Sequence, residues 1–278
     1  MPIRPHTTEP KARKGRALLD SVRLDLPRRD AKPRSRGLTM AIDNGMPQRA
    51  FADAVLSGAE YIDVVKFGWG TALVTPDIEV KLELLSGYGI GYYFGGTLFE
   101  KFVHQDRFES FMTLCRLCDC RYVEISNGTV EIPTDEKARY IARCAEEFTV
   151  LSEVGFKDAR RSSELTADEL VDAVRSDLRA GASLVITEAR ESGRSGICRP
   201  DGTPREDLVD ALLASGVDTG RILFEAPTKD LQTHFIKLLG PHANLGNIAP
   251  TDVIGVETLR LGLRSDTLVH FEKVKSHA

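Results

Sequence analysis

The sequence predicts an α/β fold, a single (β/α)8 barrel with a basic N-terminal extension. Three observations predict it. Past Gly37, short runs rich in Val, Ile, Tyr and Phe alternate with longer amphipathic stretches, which implies a parallel sheet. Eight such runs occupy about 240 residues, the count of a (β/α)8 barrel. An open doubly wound sheet is the competing architecture, but no G-x-G-x-x-G follows the first run.

In chain order the predicted strands are Thr39–Asp43, Tyr61–Phe67, Ile90–Phe94, Tyr122–Ser126, Thr149–Glu153, Leu184–Ala189, Ile222–Ala226 and Ala243–Ile248. Between them the 3.6-residue spacing of apolar positions predicts helices over Gln48–Ser57, Arg107–Leu117, Asp135–Phe148, Ala167–Ala180 and Arg205–Ala214. The 278 residues divide into a basic extension, residues 1–25, and the barrel, residues 26–278. Leu26–Arg36 is expected to lie along the domain.

Composition narrows the function classes. Hydrophobic residues make up 42%, enough for a sizeable core and too many for a disordered chain. No stretch approaches the roughly 18 apolar residues of a membrane span. The basic start has no apolar h-region, so it does not read as a secretory signal, and a soluble cytoplasmic protein is expected. Residues 1–36 carry eleven Lys/Arg against four Asp/Glu, a net of +7, and the remainder carries -11. Without interleaved aromatics and ahead of an acidic body, that basic arm argues against nucleic-acid binding. Cys115, Cys118 and Cys120 form C-x-x-C-x-C but lack the fourth ligand a closed zinc site needs. They read as a buried helix face and the turn after it.

The barrel places its chemistry at the C-terminal strand ends. Those ends carry Asp43, Lys66, Gly95-Gly96-Thr97, Glu124 with Ser126, Glu153 with Lys157 just after, Glu188 with Arg190, Glu225, and Asn244 with Asn247. A ring of charges there is costly to bury unless it pairs or binds something. Oxygen-rich sites of this kind suit Mg²⁺, which makes Glu124, Glu188, Glu225 and Asp43 its candidate ligands. Lysines beside carboxylates suit proton transfer to or from carbon beside a metal-held enolate, with Lys66, Lys157 and Glu153 the candidate catalytic groups. For Lys66 the alternative is an internal ion pair with Asp63 or Asp43.

The glycines of Gly95-Gly96-Thr97, and Gly246 and Asn247 on the eighth strand, offer backbone groups to a phosphate, although Gly-Gly also serves plain tight turns. Ser126 and Arg190 complete the substrate-binding candidates, with Arg194 as a second arginine in the following loop. Arg260 and Arg264, four apart on the last helix, read equally as salt-bridge residues. The residues alone reach a Mg²⁺-assisted reaction, through an enolate, on a small anionic and phosphorylated substrate.

KPRSRGLTMAIDNG (32–45), YIDVVKFGWGT (61–71), GGTLFE (95–100), VEISNGTVEIP (123–133), LSEVGFKD (151–158), TEARESG (187–193), FEAPTKDLQTHFI (224–236) and NLGNI…ETLRLGLRSDT (244–267) closely resemble the phosphosulfolactate synthase family. The resemblance runs in order from about Leu26 to Thr267. It implies a Mg²⁺-dependent barrel enzyme that adds sulfite to C3 of phosphoenolpyruvate, giving (2R)-phospho-3-sulfolactate, a step toward coenzyme M in methanogens and sulfolactate in bacteria. Homo-oligomers, trimers in assembly, are implied as well.

Under the same resemblance Lys157, matching the lysine of the family's EVGxKD segment, is the expected donor of a proton to C2, with Lys66 the alternative. The chain departs from the family at Asn127, where many relatives carry Asp, and at Phe156, where methanogen-type members often carry a second lysine. In EAPTKDLQ only Gln232 remains of a common glutamine pair. These departures leave room for the same enolate chemistry with another nucleophile. A non-catalytic barrel like the related plant heat-stress proteins is the third reading, which the intact charged ring speaks against.

Overall fold

The computed structural model describes residue 21, residues 24–190 and residues 192–272. Most of the basic extension, residues 1–25, lies outside the described residues. The elements follow in chain order. They are β1 (Thr39–Asp43), α1 (Gln48–Gly58), β2 (Val64–Phe67), α2 (Thr71–Val74), α3 (Ile78–Gly87), β3 (Gly91–Phe94), α4 (Gly96–His104), α5 (Phe108–Leu117), β4 (Tyr122–Ile125), α6 (Thr134–Ala145) and β5 (Thr149–Val154). Then come α7 (Ala159–Glu164), α8 (Ala167–Ala180), β6 (Leu184–Thr187), α9 (Glu206–Ala214), β7 (Ile222–Glu225), α10 (Lys229–Leu239), β8 (Leu245–Ile248) and α11 (Val253–Arg260).

The eight strands are parallel in the order β3-β2-β1-β8-β7-β6-β5-β4, so they form a nearly closed (β/α)8 barrel. Its ends meet between β3 and β4, where no backbone ladder joins the described residues. The ring of Tyr122 fills the seam there, 2.3 Å from where a Cβ on Gly91 would stand. No helix among the described residues is long and apolar enough to cross a membrane.

Strand periodicity explains why the charged ring points inward. Side chains two apart share a face. On β2, β5, β6 and β7 an apolar residue of the barrel interior precedes a charged one by two: Val64 and Lys66, Leu151 and Glu153, Ile186 and Glu188, Leu223 and Glu225. The apolar members pack with Met40 and Tyr93 into one layer inside the barrel. The charged members form the layer above it, at the C-terminal mouth. The alternate residues, such as Val65, Phe67, Val150, Val185 and Phe224, pack outward against the helices.

Helix ends are set by local chemistry. Thr166 and Glu169 form a capping box at the start of α8, and Gly181 ends it in the left-handed conformation, so Ala167–Ala180 forms as its sequence predicts. Six of the eight strands are shorter than predicted, β1 has the predicted bounds and β5 runs one residue further, to Val154. Tyr61–Asp63, for example, precedes β2 rather than joining it, although Asp63 still hydrogen-bonds Thr39 through backbone and carboxylate. Cys115 and Cys120 are buried, Cys118 is half-buried, and all five cysteines are free.

The opposite, N-terminal end of the barrel is tied shut by cations. Arg29 pairs with Glu257 at 3.0 Å and Arg34 with Asp63 at 3.3 Å. Arg260 is fully buried there and donates to the carbonyls of Pro241, Ala243 and Leu38. It is thus a structural residue remote from the charged mouth. Arg264 sits near Asp266 at 3.5 Å on the surface.

Candidate active site

Lys66, Glu124, Glu153, Lys157, Glu188 and Glu225 converge at the mouth with Gly95, Gly96, Thr97, Arg190 and Asn247, lining a cup of about 50 Å³. Lys66 stands at its floor. Its Nζ lies 3.0 Å from Glu124, 3.2 Å from Glu225 and 3.4 Å from Glu153. Neither Asp63 nor Asp43 is its partner. Lys157 Nζ lies 2.6 Å from Glu153 Oε1 and 3.0 Å from Glu188 Oε2. It reaches them because Gly155, at φ +116°, turns the chain sharply at the end of β5; a Cβ there would also stand 2.9 Å from the Cβ of Glu188.

Charge in this cup is unbalanced: four glutamates face two lysines. Burial opposes the charge of Lys66, but Glu124, Glu225 and Glu153 outweigh it and hold the lysine well above its ordinary value. Burial likewise opposes that of Lys157, and Glu153 and Glu188 raise it. Burial would raise Glu153, yet Lys157 and Lys66 beside it hold it low. The remaining carboxylates absorb the surplus. Burial, only partly offset by Lys66, pushes Glu124 up to about 7. Burial and the neighbouring Glu153 push Glu188 well above the carboxylate range, and Glu225 is raised chiefly by burial. The cup therefore binds protons, or another cation, in excess of its lysines.

The donor set fits a divalent ion in one form. Oε2 of Glu124 lies beside the Lys66 ammonium and Oε2 of Glu188 beside that of Lys157; both are buried with no hydrogen-bond partner, and the buried Asn247 Oδ1 has none either. Among the described residues no three His, Cys, Asp or Glu side chains already form a metal-binding group. Mg²⁺ commonly takes one or two carboxylates and completes its shell with water and substrate oxygens, which suits such a site.

Asp43 is not part of the cup. Its Oδ2 pairs with the buried Lys81 Nζ at 2.5 Å, and its Oδ1 accepts from the backbone of Gly45 and Met46. Lys81 sits on α3, one helical turn from the buried Leu85. A lysine on an apolar helix face was the sequence signal for this partner, and Asp43 is a structural carboxylate. Ser126 lies behind the cup, donating to Glu100 at 2.5 Å. The Gly96 amide donates to the Glu124 carboxylate at 2.5 Å and the Gly95 amide to the Phe67 carbonyl, so neither is left to present to a phosphate. Gly246 packs inside the barrel, where a Cβ would stand 2.3 Å from Leu223. Arg194 is exposed and lines a separate cleft with Ser162, Cys198 and Arg205.

Backbone conformation marks the same place. Six non-glycine residues among those described have positive φ. Three are aspartates, which tolerate the left-handed region well. The other three are Trp69, Arg190 and Asn247, and all three line the cup. Asn247, like the aspartates, adopts this region readily, whereas at Trp69 and Arg190 strain of about 1–3 kcal/mol persists where the surroundings enforce it, typically at functional sites.

The family departures miss the cup. Asn127 donates to the Ile132 carbonyl, Phe156 stacks under Arg161 at 4.0 Å, and both line a groove beside α8. Gln232 is buried and donates to the Ala226 carbonyl.

Fold and site together define a (β/α)8-barrel enzyme with a lysine–carboxylate centre at the C-terminal mouth. Residues 27–266 match the model of the (2R)-phospho-3-sulfolactate synthase (ComA) family. Over 249 residues the chain is 49% identical to the phosphosulfolactate synthase of Bacillus subtilis, covering 90% of this chain and 99% of that protein. It is 44% identical over 246 residues to the phosphosulfolactate synthase of Methanothermobacter thermautotrophicus, covering 87% and 95%. The chain belongs to the phosphosulfolactate synthase family.

Among solved structures it is similar in fold to a 3-hexulose-6-phosphate synthase, with a TM-score of 0.53, 13% identity, and coverage of 81% of this chain and 99% of that one. A thiamine phosphate pyrophosphorylase from Pyrococcus furiosus gives a TM-score of 0.50 at 11% identity, covering 86% and 98%. At these identities the likeness is one of barrel architecture.

Proposed function

We propose that this enzyme adds sulfite to C3 of phosphoenolpyruvate to form (2R)-phospho-3-sulfolactate, as the names of its relatives imply. The observation that carries the reading is the pair of ammoniums, Lys66 and Lys157, held charged among four buried glutamates at strand ends. Addition at C3 places negative charge on the C1 carboxylate and makes C2 a carbon base. Charged, fixed donors facing that position stabilise the charge without reorganising. Lys157, half-buried beside the mouth, is the group that gives its proton to C2. Glu153 holds its ammonium in one direction, and Glu188 touches it from a second side. Lys66, deeper and ringed by three carboxylates, keeps its proton and supplies fixed positive charge.

Glu188 and Glu124, each with a carboxylate oxygen that accepts no hydrogen bond, are the residues that would hold Mg²⁺, which when bound would neutralise the surplus carboxylates and add Lewis-acid stabilisation of the enolate oxygens; Glu225, whose Oε1 meets Lys66 and whose Oε2 accepts from the Ala189 amide, stands beside them. Asp43, saturated by Lys81 and two amides, is left out of that set. Arg190 at the rim and Thr97 at the start of α4 would meet the substrate phosphate, since a guanidinium fork matches such an oxyanion. With the cup itself only about 50 Å³, the phosphate and the incoming sulfite belong above it, toward these rim residues.

The reading is tested by incubating the protein with phosphoenolpyruvate, sulfite and Mg²⁺. The product is expected to be a new phosphate ester, heavier by sulfite, whose formation stops on adding EDTA. Phosphoenolpyruvate binding without reaction would instead favour another nucleophile.

A further inference from the structure

We propose that Glu100 is a positioning residue that clasps the β3–β4 seam and thereby sets where Lys157 presents its ammonium. The inference rests on the lysine-assisted reading of the cup. The barrel has no backbone ladder between β3 and β4 among the described residues, so its mouth needs another closure at that point. Glu100 supplies it from α4. Its Oε1 accepts from Ser126 Oγ at 2.5 Å, and its Oε2 accepts from the backbone amides of Thr129 at 2.8 Å and Val130 at 2.5 Å. Glu100 is 1% exposed and does not line the cup.

Gly96 lies one helical turn before Glu100, on the same face of α4. Its amide donates to Glu124 at 2.5 Å, and a Cβ there would stand 2.3 Å from Ser126 Oγ. Two consecutive turns of α4 therefore grip the end of β4 and the loop beyond it. That loop carries Gly128, whose carbonyl accepts from the Lys157 amide at 3.2 Å. The Cβ position of Gly128 lies 3.4 Å from Lys157 Nζ. The loop so fixed is thus the surface against which Lys157 rests. Three donors meet the carboxylate, and an amide that kept its oxygen on the two backbone N–H groups would turn its NH2 toward Ser126, whose hydroxyl would have to reverse to accept.

The test is Glu100→Gln, which keeps the side chain's shape. Its kcat is expected to fall about 10²-fold, the cost of a reacting group moved by roughly an ångström, with KM for phosphoenolpyruvate unchanged and the melting temperature lower by only the few degrees that one mispaired buried donor costs. Independently of turnover, acetic anhydride labelling read by mass spectrometry is expected to modify Lys157 several times faster than in the parent, with exposed Lys237 unaffected.

Unchanged kcat and labelling would overturn the proposal. So would a loss that tracks melting temperature with Lys237 labelling rising in step, since that is a general loosening. Should Glu100→Gln fail to fold, Ser126→Ala removes one of the three contacts and is expected to shift Lys157 labelling in the same direction; no shift overturns the proposal. A parent protein that makes no phosphosulfolactate refutes the synthase reading, and the labelling then still decides the positioning role.

Discussion

Lys157 Nζ stands 2.6 Å from Glu153 Oε1, four residues back across the turn at Gly155, and this pair holds the Lys157 ammonium over the end of β5. Removal of the ammonium leaves the fold intact, because Lys157 is partly exposed and Glu153 keeps Lys66 as a second cation. Lys157→Ala is expected to lower kcat by about 10²–10⁴-fold, the usual worth of a general acid, with the circular dichroism spectrum and melting temperature retained. Full activity in that variant would remove Lys157 from the mechanism.

Arg190 is exposed at the rim, in a left-handed conformation, with one guanidinium nitrogen donating to the Lys157 carbonyl at 3.3 Å. Arg190→Lys keeps the charge and loses the planar fork. KM for phosphoenolpyruvate is expected to rise about tenfold, equivalent to one charge-assisted hydrogen bond, with kcat less affected. Steady-state kinetics decide it, and an unchanged KM would refute the phosphate-binding role.

Asp43 and Lys81 form a buried pair that serves the fold. Breaking such a pair strands a charge and typically costs about 3–5 kcal/mol. Lys81→Met is therefore expected to lower unfolding free energy by that order in denaturant titrations, and Asp43→Asn to do so without altering the Mg²⁺ concentration that supports half-maximal rate. A changed Mg²⁺ requirement in Asp43→Asn would return Asp43 to the metal ligands.

The raised Glu124 makes a prediction about pH. In the unfolded chain a glutamate loses its proton near 4.5, whereas Glu124 keeps its proton to about 7 when folded. Between those values the folded state binds the extra proton, so this residue's contribution to stability is present at low pH and lost as pH rises toward 7. The full effect is ~3 kcal/mol at about 1.4 kcal/mol per pH unit. In EDTA, the stability of Glu124→Gln relative to the parent is expected to increase from pH 4.5 to 7. A difference independent of pH would contradict the assignment.

Much of this architecture is legible in the sequence because strand period and barrel geometry act locally. β1 forms over Thr39–Asp43 and α8 over Ala167–Ala180 as predicted, each bounded by its own local signals. The ring of Lys66, Glu124, Glu153, Lys157, Glu188 and Glu225 follows from the same rule that charged residues ending parallel strands meet at one mouth. What the rule cannot supply is partnership. Asp43 ends a strand like the others, but Lys81 lies 38 residues further along on a helix and claims it. Gly96 reads as a phosphate loop because its amide is free in sequence terms, while in the fold Glu124 takes it. Glu100 carries no strand-end signal at all, since its role arises only where β3 meets β4.

The most direct test of the account follows phosphorus NMR and product mass in a mixture of the purified protein, phosphoenolpyruvate, sulfite and Mg²⁺. The account predicts a new phosphate ester carrying the added sulfite, absent with EDTA and with Lys157→Ala. Phosphoenolpyruvate left unchanged under those conditions, with Mg²⁺ and sulfite in excess, would contradict it.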